Sequence, residues 1–216
     1  MKANILYNVK WLSVLLLMAI LTACSGEKLP AIPAGSTVLI LGDSLSYGTG
    51  ASKGQDYPTL LAQTTSWHVI NAGVPGDTSE QGLARLPALL EDHQPKLLMI
   101  ELGGNDFLKK VPITQTEANL RAIIQAAKLK SLPTLLIAIP DYQPVKAAFG
   151  GLSDHTLYAT IAEETQIPLV EDIFSPVLSK NSLKADYVHP NAAGYKVVEA
   201  ALRESLAELG LFRTLH

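Results

Sequence analysis

Ser44 stands in the run Gly42-Asp43-Ser44-Leu45, directly after a short apolar stretch, and far along the chain Asp186 precedes His189 by three residues. A serine hydroxyl is a nucleophile only where a base takes its proton and donors hold the oxyanion that forms. The i, i+3 spacing lets the Asp186 carboxylate bond Nδ1 of His189 and leaves Nε2 to face Ser44, so the acid sets the tautomer and steadies the imidazolium. Acid and base share one short loop, so their mutual geometry needs little tertiary precision. Three groups are candidates for the oxyanion hole. Gly73 offers a backbone N–H with no side chain in the way. Asn105 offers a side-chain amide, and the Ser44 N–H lies at the start of a helical turn. The chemistry this set can perform is acyl transfer: attack on an ester or thioester carbonyl, an acyl-enzyme, and hydrolysis by water that His189 activates.

Each residue also has a plainer role to weigh. Gly-Asp-Ser after a strand can be no more than a capped turn. Asp43, beside the nucleophile, is expected to bond its own loop, and Asp106 to brace the loop that carries Asn105. His68, His93 and His216 lack an acid at the right spacing; His155, beside Asp154, is the one competitor to His189 as base. Gly48-Thr49-Gly50 lacks the spacing and the following acid of a dinucleotide loop. The residue two after Ser44 is Ser46, so the Gly-x-Ser-x-Gly elbow is absent.

The elements that must position these residues alternate. Apolar runs at Thr37–Leu41, His68–Asn71, Lys96–Leu102, Thr134–Ile139 and Ile167–Val170 read as buried parallel strands. Segments of helical period fall between and after them, at Tyr57–Thr64, Ser79–Glu91, Thr116–Leu129, Asp154–Thr165 and Ala192–Leu209. That order predicts a three-layer α/β/α sandwich with a five-stranded parallel sheet and right-handed crossovers. Ligand sites in such sheets collect beyond the C-terminal ends of the strands, and Ser44, Gly73 and Asn105 each fall just after a strand.

Gly42-Asp43-Ser44-Leu45, Gly73 after Asn71, Gly103-Gly104-Asn105-Asp106 and Asp186-x-x-His189-Pro190 resemble, in order, the four blocks of the SGNH or GDSL hydrolase superfamily. Within it the chain is most similar to the bacterial thioesterase I, lysophospholipase and arylesterase group. The resemblance implies a flavodoxin-like fold, Ser44 as nucleophile, Asp186 and His189 as acid and base, Ser44, Gly73 and Asn105 as the oxyanion hole, and no metal or organic cofactor. The expected substrate is a small-molecule acyl ester or thioester, a lysophospholipid or an aryl ester. The alternatives are a carbohydrate O-acetyl esterase of the same fold, a metal-dependent phosphoesterase using Asp43, Asn105, Asp106 and His189, and a non-catalytic acyl-binding lipoprotein. Residues 141–152 follow the fourth strand and offer Tyr142, Val145 and Phe149 as a wall for the acyl chain.

Composition narrows the setting. The 216 residues carry a formal charge of -3 and one cysteine, which excludes a nucleic-acid footprint, an internal disulfide framework and a cysteine-rich zinc site. Part of the mean hydropathy of +0.21 lies in the stretch from Trp11 to Leu21, preceded by Lys2 and Lys10. That is the length of a signal-peptide core and too short to favour a membrane span. It ends Leu21-Thr22-Ala23-Cys24, which resembles a bacterial lipobox and makes Cys24 the expected site of lipidation. The predicted organisation is a signal peptide at 1–23, a tether at 24–35 and a hydrolase domain at 36–216. Loss of the leader removes Lys2 and Lys10 but no acid, which takes the charge to -5. The expected product is an exported monomer, anchored by lipid to a bacterial membrane. Ser25 after the cysteine points by resemblance to the outer membrane of a Gram-negative cell, facing the periplasm.

Overall fold

The computed structural model describes residues 30–142 and 151–213. Five parallel strands form one sheet in the order β2-β1-β3-β4-β5: β1 (Thr37–Gly42), β2 (His68–Gly73), β3 (Leu97–Glu101), β4 (Thr134–Ile137) and β5 (Leu169–Val170). Strand β1 pairs with β2 on one side and β3 on the other, Gly42 lying opposite both Gly73 and Glu101. This is the flavodoxin-like order, whose crevice opens where strand order reverses, between β1 and β3. The reversal puts the loops after these two strands side by side at the rim.

Residue type follows position in the sheet. Val38–Leu41, Leu97–Ile100 and Leu135–Ile137 are wholly buried, because helices cover both faces of the inner strands. The edge strand β2 departs from the continuous apolar pattern, with His68 and Asn71 exposed. The fifth strand is shorter than its apolar run. The Ile167 N–H donates to Ala162 O at the end of the preceding helix, so residues 167–168 close that helix before pairing begins.

The helices are α1 (Ser44–Tyr47), α2 (Tyr57–Thr65), α3 (Ser79–His93), α4 (Gly104–Leu108), α5 (Ile113–Leu129), α6 (Leu157–Thr165), α7 (Ser175–Leu178) and α8 (Ala192–Glu208), with a 3₁₀ turn at Asn181–Leu183. α3, α5 and α6 pack in one layer; α2 and α8 form the other. Local signals set the ends. Thr78 and Gln81 form a capping box at α3, and the Asn191 side chain accepts from Gly194 N at α8. Helix α6 begins later than its period suggests. The Asp154 carboxylate is engaged by Asp172 N and Ser175 Oγ, and His155 Nδ1 accepts from Leu157 N, so residues 154–156 belong to the loop.

The expected tether at 24–35 is corrected in its described part. Ile32 is buried, its N–H donates to Leu211 O at 2.8 Å, and its carbonyl accepts from Trp67 Nε1 at 3.1 Å. Gly35 N donates to Ser66 O at 2.8 Å. Residues 30–35 are therefore docked at the end of the sheet where the strands begin, opposite the rim. Signal-peptide residues 1–23, Cys24 and residues 25–29 lie outside the described residues, as does His216.

The inner strand β1 carries packing from both layers. Leu39→Ala, at a position with no exposure, should lower unfolding free energy by about 2–5 kcal/mol through lost transfer energy and a residual cavity. A urea titration reads this as a lower midpoint at constant slope.

Candidate active site

The site begins where β1 ends. Asp43 caps α1, its Oδ1 accepting from Leu45 N at 2.9 Å, which makes Ser44 the first helical residue. A Cβ on Gly42 would collide with Ser46 Oγ and Glu101 Oε2, so only glycine lets the chain turn this tightly. Across the rim, the loop before α8 holds Asp186 and His189. Asp186 Oδ1 accepts from Val188 N and His189 N, both at 2.8 Å. Its Oδ2 lies 2.8 Å from His189 Nδ1, and His189 Nε2 lies 2.9 Å from Ser44 Oγ. Burial pushes the Asp186 carboxyl up, but the bonds from His189 and Val188 and the His189 charge outweigh it and hold the acid below its ordinary 3.8. The three side chains form one unbroken line.

Asn105, the second residue of α4, reaches the same rim from β3. Its Nδ2 donates to Asp43 Oδ2 at 2.9 Å and to Asp77 O at 3.0 Å. Burial lifts Asp43 to about 6, against the Leu45 bond, the charge of His189 and the Asn105 bond, while Asp77 adds to the rise. Ser44, Asn105 and His189 line one cavity of about 240 Å³, whose walls include Leu108, Ile139, Tyr142, Leu178 and Val188.

Gly73 is a correction. Its N–H donates to Asn71 Oδ1 at 2.9 Å, and it is absent from the cavity lining. Asn71 captures the amide two residues on, a habit of asparagine in turns. Gly73 lacks a side chain because α1 presses on it: a Cβ there would stand 2.8 Å from the Asp43 carbonyl oxygen. Two glycines do line the cavity with Ser44 and Asn105: Gly104, beside Asn105, and Gly76, from the loop after β2 and in the left-handed region at φ 87°. The Gly76 loop is tied down at two points, and Arg85 links it to the end of β1. Lys109 Nζ donates to Gly76 O at 2.7 Å; Arg85 Nε bonds Asp77 Oδ2 and its Nη2 bonds Gly42 O, both at 2.8 Å. In the sequence Gly76 is signalled only by the turn pair Pro75-Gly76, and nothing marks Arg85.

The remaining candidates fall into place. Asp106 is buried and accepts from Ser79 N, Ser79 Oγ and Thr116 Oγ1, so it braces the Asn105 loop against the starts of α3 and α5. His155 is engaged with Leu157 N and stacks on Phe107 with ring centroids 4.5 Å apart. His68 begins β2 and His93 ends α3. Tyr142 lines the cavity, whereas Val145 and Phe149 lie outside the described residues. Among the described residues no group of three or more His, Cys, Asp or Glu is placed to hold a metal ion.

Relatives share this arrangement of chain. The sequence is 40% identical over 166 residues to thioesterase 1/protease 1/lysophospholipase L1 of Escherichia coli K12, covering 73% of this chain and 77% of that protein. It is 35% identical over 170 residues to esterase TesA of Pseudomonas aeruginosa, covering 74% and 82%. Among solved structures, the psychrotrophic esterase EstA from Pseudoalteromonas sp. superposes with a TM-score of 0.69 at 30% identity, covering 80% of this chain and 97% of that one. Residues 40–197 match the GDSL-like lipase/acylhydrolase family, a span that runs from within β1 into α8 and takes in every residue lining the cavity; the chain belongs to that family.

Proposed function

We propose that the protein hydrolyses carboxylic esters or thioesters through an acyl-enzyme on Ser44. The observation that carries this reading is the line from Ser44 Oγ through His189 to Asp186, with contacts of 2.9 and 2.8 Å. Ser44 Oγ attacks the carbonyl carbon as His189 Nε2 takes its proton. Asp186, on Nδ1, fixes the tautomer and steadies the imidazolium. The carbonyl oxygen becomes an oxyanion held by the N–H groups of Ser44 and Gly76 and by Asn105 Nδ2. An oxyanion is a stronger acceptor than a peptide carbonyl, so it competes with Asp77 O for the Asn105 hydrogen. His189 then gives its proton to the leaving alcohol or thiol. Water, deprotonated by the same imidazole, attacks the acyl-enzyme and frees the acid.

The apolar walls at Leu108, Ile139, Leu178 and Val188 suit the acyl part of the substrate. The names borne by the relatives, thioesterase, lysophospholipase and esterase, agree with a lipid-like acyl group and an interchangeable leaving group. The sequence around Cys24 supports export and lipid anchoring. With residues 30–35 docked at the far end of the strands, such an anchor holds the catalytic rim away from the membrane that bears it.

Ser44→Ala should lower kcat on a short p-nitrophenyl ester by at least about 10³-fold; retained turnover, or loss of wild-type activity to a chelator, would sink this mechanism. Asn105→Ala should lower kcat by about 10²–10³-fold with KM little changed, since the oxyanion exists only along the reaction path. Cys24→Ser should move the full-length protein from the membrane to the soluble fraction of fractionated cells, and continued retention argues against the anchor.

A further inference from the structure

Glu101 is the last residue of β3 and is wholly buried beneath the turn that presents Ser44. Its Oε2 accepts from Ser46 N at 3.0 Å and from Asp43 N at 3.5 Å, and lies 2.5 Å from Ser46 Oγ. Ser46 Oγ is in turn 2.7 Å from the Tyr57 hydroxyl. Oε1 is buried with no hydrogen-bond partner among the described residues. Gly42, opposite Glu101 in the sheet, has no room for a Cβ because this carboxyl and Ser46 Oγ occupy the space. Glu101 is absent from the cavity lining, so the acyl-transfer steps leave it without a task. Yet it holds the backbone on both sides of Ser44.

We propose that Glu101 is a positioning residue for the nucleophile: its carboxyl group clamps the Asp43–Ser46 turn and so fixes the aim of Ser44 Oγ at His189. The proposal rests on the reading of Ser44 as nucleophile. The clamp works as a neutral acid. A carboxylate with one oxygen bare in an apolar interior is costly, whereas a neutral carboxyl can share its proton with Ser46 Oγ over the 2.5 Å contact. The groups around it offer little to hold a charge. Asp43 faces it from the turn, Tyr57 from α2, Tyr158 from α6 and Tyr195 from α8. Arg85, the cation on α3 that bonds Gly42 O, is paired with Asp77. Burial, and then the charge of Asp43, hold the Glu101 carboxyl well above its ordinary 4.5. Neutrality also serves the reaction. Negative charge grows on the substrate beside the N-terminus of α1, and an anion under that turn would oppose it.

The experiment compares wild type, Glu101→Gln, Glu101→Ala and Ser46→Ala by steady-state kinetics, by the rate at which a fluorophosphonate labels Ser44, and by melting temperature against pH. Ala at 101 should lower kcat and the labelling rate by about 100-fold with KM little changed, the cost of a misaimed nucleophile. Gln, a neutral isostere, should restore both to within about threefold of wild type, and Ser46→Ala should lower them about tenfold. The pH arm has a definite sign. Above 4.5 the unfolded chain loses the Glu101 proton while the folded protein keeps it, so rising pH favours unfolding of wild type. The Gln variant lacks that penalty, and its melting temperature should climb relative to wild type as pH rises above 4.5. A Gln variant as slow as Ala, or a gap in melting temperature that does not grow with pH, overturns the proposal. So does a folded Ala variant labelled as fast as wild type. If Ala at 101 does not fold, unchanged labelling in Ser46→Ala overturns it instead. Wild type that takes no label at Ser44 overturns the nucleophile reading itself, an outcome separate from all of these.

Discussion

The 2.9 Å contact between Ser44 and His189 joins residues 145 positions apart, and no local preference of the chain can make it. It exists because β1 is an inner strand, flanked by β2 and β3, while the loop before α8 returns to the rim after the last strand is laid down. Asp186 and His189, by contrast, are set by their own loop, through two backbone N–H groups that close on Asp186 Oδ1. The relay is thus half local and half global. Strain in the packing of β1 is felt at the long-range half first, since a shift of roughly 0.7 Å there takes the contact out of hydrogen-bond range.

One residue type does several jobs at this rim, and environment divides the labour. Asp186 is half exposed and bonded to His189 and two backbone amides, so it stays ionised beside the imidazole. Asp43 is buried and pushed to about 6, where it both caps α1 and grips Asn105. Asp77 is spent on Arg85, Asp106 on Ser79 and Thr116. Glu101, with no cation paired to it among the described residues, is held well above its ordinary 4.5 by burial and then by the charge of Asp43. Carboxyl groups whose environments push them apart can stand within one site and still differ in charge at one pH. That separation lets a rim dense in acids assemble around a reaction that itself creates negative charge.

Much of this could be read before the fold was known, and the limits have physical causes. The inner strands announce themselves because both faces are buried, and Asp186 with His189 because their geometry is local. The short helices α1, α4 and α7 have no room for a hydrophobic period. Gly73 and Gly76 look alike as letters; the capture of the Gly73 amide by Asn71 and the place of Gly76 on the cavity wall separate them. Glu101 carries no signal either, because it falls near the end of the apolar run Lys96–Leu102 and its partners lie 55 and 58 residues away. A buried acid in a strand looks like an interruption until the turn above it is seen.

The glycines at the start of the rim bear on how such a site is built. Gly42 is small to admit Glu101 and Ser46, and Gly73 is small to admit the backbone of α1. Neither lines the cavity. Both let polar groups from neighbouring strands approach the turn that carries Ser44, from below through Glu101 and from the side through Asn71 Nδ2, which donates to Ser46 O at 2.7 Å. A turn gripped through its backbone from two strands has little conformational freedom left to lose, which is the preorganisation that the proposed acyl transfer on Ser44 requires. The motif around Ser44 is therefore as much a packing solution as a chemical one: glycine and small serine are required beneath the turn before the Ser44 hydroxyl can meet His189.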